Sequence, residues 1–251
     1  MPVGVPKVAY LIPGDEEATW VDVYNALYRQ RMLFLCQAVE TEISNTIVAI
    51  MVFLHIEDET LEQCLFINSP GGSVIPGIAV YDTIQFVTAD VTTVCVGLAA
   101  SMGSFILSGG AFDKRCALPN ARVMLHQPTS KSKGLRSAVF LHDMGELLTL
   151  RESIAITYSQ RTGQPFSIIT CDMQHEVTMT AKEAKKYGII DHIGIRTTLG
   201  FVFDKIDDEK GELDELFDDS DGLFDDSDES DHIDDFYALD DSDDIDSHID
   251  W

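Results

Sequence analysis

The sequence predicts an α/β fold with a largely parallel sheet, because short apolar strands alternate with helical patterns along most of its length. Two runs rich in apolar and β-branched residues, "CLFIN" and "VTTVCV", each reach a glycine-containing turn and are followed by helical spacing. A third run, "ARVMLH", stops at Gln-Pro. With 45% hydrophobic residues, the chain can bury a core large enough for such a sheet.

The individual elements follow from local spacing and capping residues. In chain order we expect a helix in "TWVDVYNALYRQRMLFL" with Thr19 as N-cap, a mostly buried helix after Ser44, a strand in "CLFINSPGG", a helix in "IPGIAVYDTIQFV", a strand in "VTTVCVG", a short helix in "SMGSFILSGG", a strand in "ARVMLHQP", a long helix in "GLRSAVFLHDMGELLTLRESIAITYSQRTG", and a capped helix and strand in "TAKEAKKYGIIDHIG".

The acidic charge divides the chain into two parts. Of the net charge of −26, most comes from residues 204–251, where 23 acidic residues face two lysines. We predict a folded domain over residues 1–203 and a disordered acidic tail over residues 204–251, because the tail cannot bury enough apolar surface to fold. An EF-hand loop in the tail would begin at residue 217 and end at residue 228. The first position needs a carboxylate but holds Phe217, and the last needs a glutamate but holds Asp228, so no metal site is expected. Neither part offers a basic surface for nucleic acid.

Cysteine usage and hydropathy exclude two further classes. The five cysteines are scattered, odd in number and lack a C-x-x-C pair, which predicts reduced thiols and no disulfide framework. The uncharged run from Val91 to Phe112 could cross a bilayer, but nine of its 22 residues are glycine, serine or threonine. We therefore expect no membrane span. The N-terminus lacks signal or transit features, so we expect the mature chain to begin there.

Two strand-to-helix turns, "NSPGGS" and "GLAASMG", carry the first functional signal. Glycines before a helix let backbone N–H groups point at a ligand, and two such turns at neighbouring strand ends would form an oxyanion hole. Ser101 opens the second helix and would lie beside that hole. The alternative is that Ser101 only caps the helix.

A serine nucleophile needs a general base and a group that orients the base. His126 ends a strand, where α/β proteins place functional groups, although it could equally be a satisfied, half-buried histidine. Spacing alone does not choose the acid. The candidates are Asp82, Asp113, Asp143, Asp172 and Asp191.

Three motifs in one order, "LFINSPGGSVIPGIAVYDTIQF", "VGLAASMGSFIL" and "RVMLHQP", resemble the ClpP serine peptidases. The opening "MPVGVPK" and "WVDVYNALYRQRMLFL" are most similar to the plastid-encoded branch. The resemblance runs from about Pro2 to Ile195. It implies a ClpP/crotonase-like fold, with repeated β-β-α units and a long protruding helix.

The resemblance also implies roles for particular residues. By position, Ser101 matches the nucleophile, His126 the general base and Asp172 the third triad member. Gly72 and Met102 match the residues whose N–H groups form the oxyanion hole. The substrate would add as a β-strand beside Ser73 and Val74, with an apolar pocket that includes Met102, Ile106 and Pro128. No metal or cofactor is expected.

The implied function is a serine endopeptidase that hydrolyses unfolded polypeptides as the proteolytic subunit of an ATP-dependent Clp protease. Partners would be copies of itself or paralogous ClpP-type subunits in two stacked heptameric rings, and an AAA+ Clp ATPase chaperone. The location would be the chloroplast stroma of a plastid, or a bacterial-type cytoplasm.

The chain departs from the family pattern at Cys171, Gln174, His175 and Glu176, and in "TSKSKGLRSAVFLHDMGE". Two other functions stay open. One is a non-catalytic subunit of a mixed ring, and the other is a crotonase-type acyl-CoA enzyme, although the paired serine and histidine motifs favour neither.

Overall fold

The structure, a computed structural model, describes residues 4–11, 18–128 and 137–194. The proposed acidic tail and the segment directly after Pro128 lie outside these residues. The strands are β1 (Lys7–Tyr10), β2 (Thr19–Asp22), β3 (Met32–Leu35), β4 (Gln63–Ser69), β5 (Val91–Ala100), β6 (Arg115–Ala117), β7 (Arg122–Met124), β8 (Thr178–Thr180) and β9 (His192–Ile193). The helices are α1 (Val23–Arg29), α2 (Thr41–Glu57), α3 (Val74–Phe86), α4 (Met102–Ser108), α5 (Ser137–Thr162), α6 (Phe166–Gln174) and α7 (Ala181–Tyr187).

A seven-stranded sheet organises the domain. Strands β3, β4, β5, β6 and β9 are parallel neighbours in that order, as the alternation of strands and helices predicted. The ten-residue β5 is long enough to pair with β6 along its first half and with β7 along its second half. Strand β8 then adds antiparallel to β7. The carboxyl ends of β4, β5 and β7 therefore meet at one edge, where functional groups collect in α/β proteins.

The uncharged run that is long enough for a membrane lies in the centre of the domain. It forms β5 and then the short helix α4, all seven residues of which are buried. Small residues allow this close packing. A Cβ on Gly103, for example, would come within 3.1 Å of the Ser69 carbonyl oxygen. Among the described residues, no helix combines the length and apolar character needed to span a bilayer.

The first predicted helix is wrong in its bounds. Thr19 begins strand β2, and Asp22 is the N-cap of α1, accepting the N–H of Tyr24 at 2.8 Å. The helix ends before Arg31, which has a positive φ of 63°. The following residues form β3 because they pair with β4 and bury Leu33 and Leu35 completely. Four further elements that the sequence did not predict are β1, β6, α6 and β8.

Candidate active site

The two strand-to-helix turns lie against each other at the carboxyl ends of β4 and β5. Gly71, in the first turn, has a φ of 94°. A Cβ at this position would lie 2.8 Å from the Cβ of Ser101 and 3.4 Å from the nitrogen of Met102. Only glycine fits here, because both the backbone conformation and the contact with the second turn exclude a side chain.

Ser101 has a strained backbone. Its φ of 51° and ψ of −120° are costly for a residue with a Cβ, and such conformations cluster at active sites. Ser101 occupies the N-cap position of α4, yet its side chain makes no capping hydrogen bond. The capping alternative is therefore wrong. The Ser101 N–H donates to the Met124 carbonyl at 2.9 Å, which ties the turn to the strand that leads to His126.

Among the backbone N–H groups beside Ser101, those of Gly72 and Met102 have no acceptor within the described residues. The chain around Gly72 is held by Val39, whose N–H donates to Gly71 and whose carbonyl accepts from Ser73. This pairing leaves the Gly72 N–H unused. Met102 is the first residue of α4, where an N–H has no partner within the helix. Both donors are available for an anionic oxygen.

A cleft of about 100 Å³ brings most of the predicted site together. Its lining includes Gly72, Ser73, Val74, Ser101, Met102, His126 and Pro128, together with Phe105, Gln127, Ile154 and Tyr158. Ile106 is not part of this lining and lies fully buried in the core. Phe105 faces the cleft instead, because successive helical residues point about 100° apart.

The carboxylate that contacts His126 belongs to Glu176. His126 Nε2 lies 3.1 Å from Glu176 Oε1. The antiparallel register of β7 and β8 pairs Met124 with Thr178, and the Leu125 N–H continues it by donating to Val177 O at 2.9 Å. One step further, this register places Glu176 opposite His126. Glu176 has a φ of 56° at the turn that leads into the β8 segment.

The resemblance implied that Asp172 lies beside His126, but in the structure the two side chains have other partners. Asp172 lies one turn earlier, on α6, and its Oδ2 accepts the Tyr187 hydroxyl at 2.6 Å. Burial, together with this carboxylate acceptor, raises the pKa of Tyr187. Asp172 therefore joins α6 to α7, and the carboxylate beside the histidine is four residues further along the chain.

Sequence reasoning missed Glu176 because it treated the residues after Asp172 only as departures from the family. A signal was present in the alternation of "VTMT", which predicts a strand able to pair with "RVML". Pairing these runs antiparallel would have placed the residue before Val177 opposite the residue after Leu125.

The arrangement is that of a serine hydrolase. It combines a serine whose side chain makes no capping hydrogen bond, a histidine that contacts a carboxylate, and two backbone N–H donors, all at one cleft. Both Ser101 and His126 line the cleft, but within the described residues no hydrogen bond joins Ser101 Oγ to the histidine. Catalytic hydrogen bonds often form only when substrate is bound.

Comparison with known proteins agrees with this class. Residues 14–197 match the family model for Clp protease. The ATP-dependent Clp protease proteolytic subunits of Epifagus virginiana and Spinacia oleracea are each 56% identical over 195 residues, and that of Atropa belladonna is 57% identical. Each match covers 78% of this chain and 100% of the relative. The chain belongs to the Clp protease family, which confirms the resemblance in its motifs.

Proposed function

We propose that this chain is a serine endopeptidase and acts as the proteolytic subunit of an ATP-dependent Clp protease. The observation that carries the proposal is the convergence in one cleft of strained Ser101, His126 and the unused N–H groups of Gly72 and Met102. The names of the plant relatives support the same activity.

In the proposed mechanism, Glu176 accepts the N–H of His126 Nε2 and leaves Nδ1 as the base. His126 takes the Ser101 hydroxyl proton while Oγ bonds to the peptide carbonyl carbon. The carbonyl oxygen becomes an oxyanion and accepts the N–H groups of Gly72 and Met102. His126 then returns the proton to the leaving amine as the C–N bond breaks. Water hydrolyses the acyl-enzyme by the same steps.

We assign the third position of the triad to Glu176 in place of Asp172. The strand register and the 3.1 Å contact to His126 support this assignment. Asp172 already accepts a hydrogen bond from Tyr187, and it does not line the cleft. A carboxylate on the histidine fixes the tautomer and stabilises the imidazolium that forms during catalysis.

The cleft supports a substrate bound in extended form. Ser73, Val74 and Pro128 all line it, and a peptide strand that added between these two segments would hydrogen-bond through its backbone. Met102, Phe105 and Ile154 supply apolar walls, which favour an apolar side chain next to the cleaved bond. Ile106 would support this pocket from the core without touching substrate.

Assembly into two stacked heptameric rings with an AAA+ partner, and a location in the plastid stroma, are parts of the same proposal. The plant relatives support the plastid. Exposed aromatic residues support assembly, because Trp20, Phe53 and Phe86 are 71%, 62% and 68% exposed.

Labelling with a fluorophosphonate probe tests the catalytic proposal. In the assembled full chain, we expect the probe to modify Ser101, and S101A to abolish labelling. S153A is the matched control, because Ser153 is an exposed serine on α5 that does not line the cleft, and its loss should leave labelling unchanged. An intact complex that is not labelled, beside an active relative that is, would favour the non-catalytic subunit.

A further inference from the structure

A buried hydroxyl pair lies directly beneath Ser101. Tyr158, on α5, is only 2% exposed, and its hydroxyl lies 2.7 Å from Ser104 Oγ on α4. Ser104 is fully buried, and its Oγ also lies 2.7 Å from the Ser101 carbonyl oxygen and 2.9 Å from that of Met124. Neither hydroxyl has a role in the mechanism above.

The distances within this cluster favour one direction for its hydrogen bonds. Carbonyl oxygens only accept, and the single proton of Ser104 can go to one of them. The Tyr158 hydroxyl has Ser104 Oγ at 2.7 Å and the Ser101 carbonyl at 3.5 Å as its acceptors. Of the arrangements with two hydrogen bonds, the one with the shortest distances has Tyr158 donating to Ser104 and Ser104 donating to the nearer carbonyl, that of Ser101. Burial raises the pKa of Tyr158, which keeps its proton in place.

The Ser101 carbonyl belongs to the same planar peptide unit as the N–H of Met102. A donor on the carbonyl oxygen fixes the plane of this unit and polarises it, which strengthens the N–H as a donor. The N–H groups of Ser104 and Phe105 also donate to this carbonyl, at 3.0 and 3.1 Å. Together with Ser104 Oγ, three protein donors thus bind this carbonyl oxygen, on the side of the peptide opposite the Met102 N–H.

We propose that Tyr158 is a positioning residue, which acts through Ser104 to orient the Ser101–Met102 peptide so that the Met102 N–H points at the oxyanion. The inference rests on the proposed serine peptidase function. It also gives the long helix α5 a role in positioning the active site, because the hydroxyl that orients the turn at Ser101 comes from that helix.

The chain offers a matched control for the loss of one tyrosine hydroxyl. Tyr158 and Tyr81 both pack on the ring of Phe105, with centroid distances of 5.5 and 4.5 Å. Within the described residues, the Tyr81 hydroxyl makes no hydrogen bond. Y158F and Y81F therefore remove the same atom from neighbouring rings, but only Y158F removes the contact to Ser104.

The experiment compares the assembled full chain with its Y158F, S104A and Y81F variants. We expect Y158F and S104A to lower kcat for a fluorogenic peptide about tenfold, with KM within about twofold, which is the loss expected for one buried hydrogen bond. Affinity for a peptide boronate, whose tetrahedral adduct occupies the oxyanion hole, should fall by the same factor. Y81F should match the wild type in both, and native mass spectrometry should show the same complex for all four.

Equal kcat for Y158F and Y81F in a labelled, active complex would overturn the inference and leave the proposed function intact. So would a rise in KM with unchanged kcat, since it would indicate a role in substrate binding. If Y158F fails to assemble, S104A decides by the same criteria. A wild-type complex with neither labelling nor turnover would overturn the proposed function itself, and this inference with it.

Discussion

Among the residues that the structure describes, two histidines contact a carboxylate in nearly the same way. His126 contacts Glu176 at 3.1 Å, and His192 contacts Asp113 at 2.7 Å. The two histidine side chains are 24% and 25% exposed. Both carboxylates belong to residues with positive φ, 56° for Glu176 and 65° for Asp113. Distance, exposure and backbone conformation therefore do not distinguish the proposed catalytic pair from the other.

The surroundings distinguish them. Beside His126, a strained serine and two N–H groups without acceptors face a cleft. Beside His192, the N–H groups of Arg115 already have an acceptor. Arg115 donates its backbone N–H and two guanidinium N–H groups to Asp191, joining β6 to β9. Under the proposed assignment, a histidine that contacts a carboxylate acts as a base only where a nucleophile and unused backbone donors lie beside it.

Replacing the two histidines should give the largest contrast. We expect H126A to lower kcat for a peptide substrate by roughly 10⁴-fold or more, because the serine loses its base. H192A should stay within about twofold of the wild type. Turnover of assembled complexes measures both, and similar losses in the two variants would contradict the proposed assignment of the base.

Replacing the two carboxylates should give a smaller contrast. We expect E176Q to lower kcat roughly 10²- to 10⁴-fold, because the amide can no longer stabilise the imidazolium. D113N should have almost no effect on turnover. D172N provides the internal test, since it removes the negative charge of the carboxylate that the resemblance assigned to the triad. A loss in D172N that exceeds the loss in E176Q would return the role to Asp172.

The ion pair beside His192 should matter for stability rather than for chemistry. D191N leaves the guanidinium of Arg115, only 5% exposed, without its charged partner. We expect a loss of roughly 3 kcal/mol in the free energy of unfolding, at the low end for a buried pair because the Asp191 side chain is 18% exposed. Denaturant unfolding measures this loss. Labelling of Ser101 should be retained in the complex that remains folded.

Lowering the pH should also weaken the Arg115–Asp191 ion pair, with a smaller effect on the free energy of unfolding than the D191N substitution has. Burial alone would raise the pKa of Asp191, but the hydrogen bonds and charge of Arg115 together hold it below its ordinary value of 3.8. A carboxylate with a depressed pKa stabilises the fold above the unfolded pKa, and this contribution is lost as the pH falls through the folded pKa. The stability difference between wild type and D191N should therefore shrink below about pH 4. A difference that stays constant down to about pH 2 would contradict this account.

Site residues that depend on local interactions could be predicted from the sequence, and those that depend on pairing between distant segments could not. Ser101 and the two turns beside it were indicated by local chemistry, because glycines and small residues mark a sharp strand-to-helix change, whereas the family resemblance supplied Gly72 and Met102. Glu176 depends on how two strands that are about fifty residues apart pair with each other, and spacing along the chain does not show that pairing. The first helix was misplaced for the same reason, since the pairing of β3 with β4 overrides the helical spacing of "MLFL".

By itself, the sequence determined the α/β class, the parallel core strands, the uncharged strand-to-helix turn at Ser101 and the family. Each of these depends on local periodicity, on glycine and proline positions, or on motifs in a fixed order. Only the tertiary structure decided which carboxylate meets His126, which apolar residues face the cleft and which hydroxyls lie beneath the nucleophile. The physical reason is that these contacts arise where β7, β8, α4 and α5 pack together, and packing joins residues that no local pattern relates.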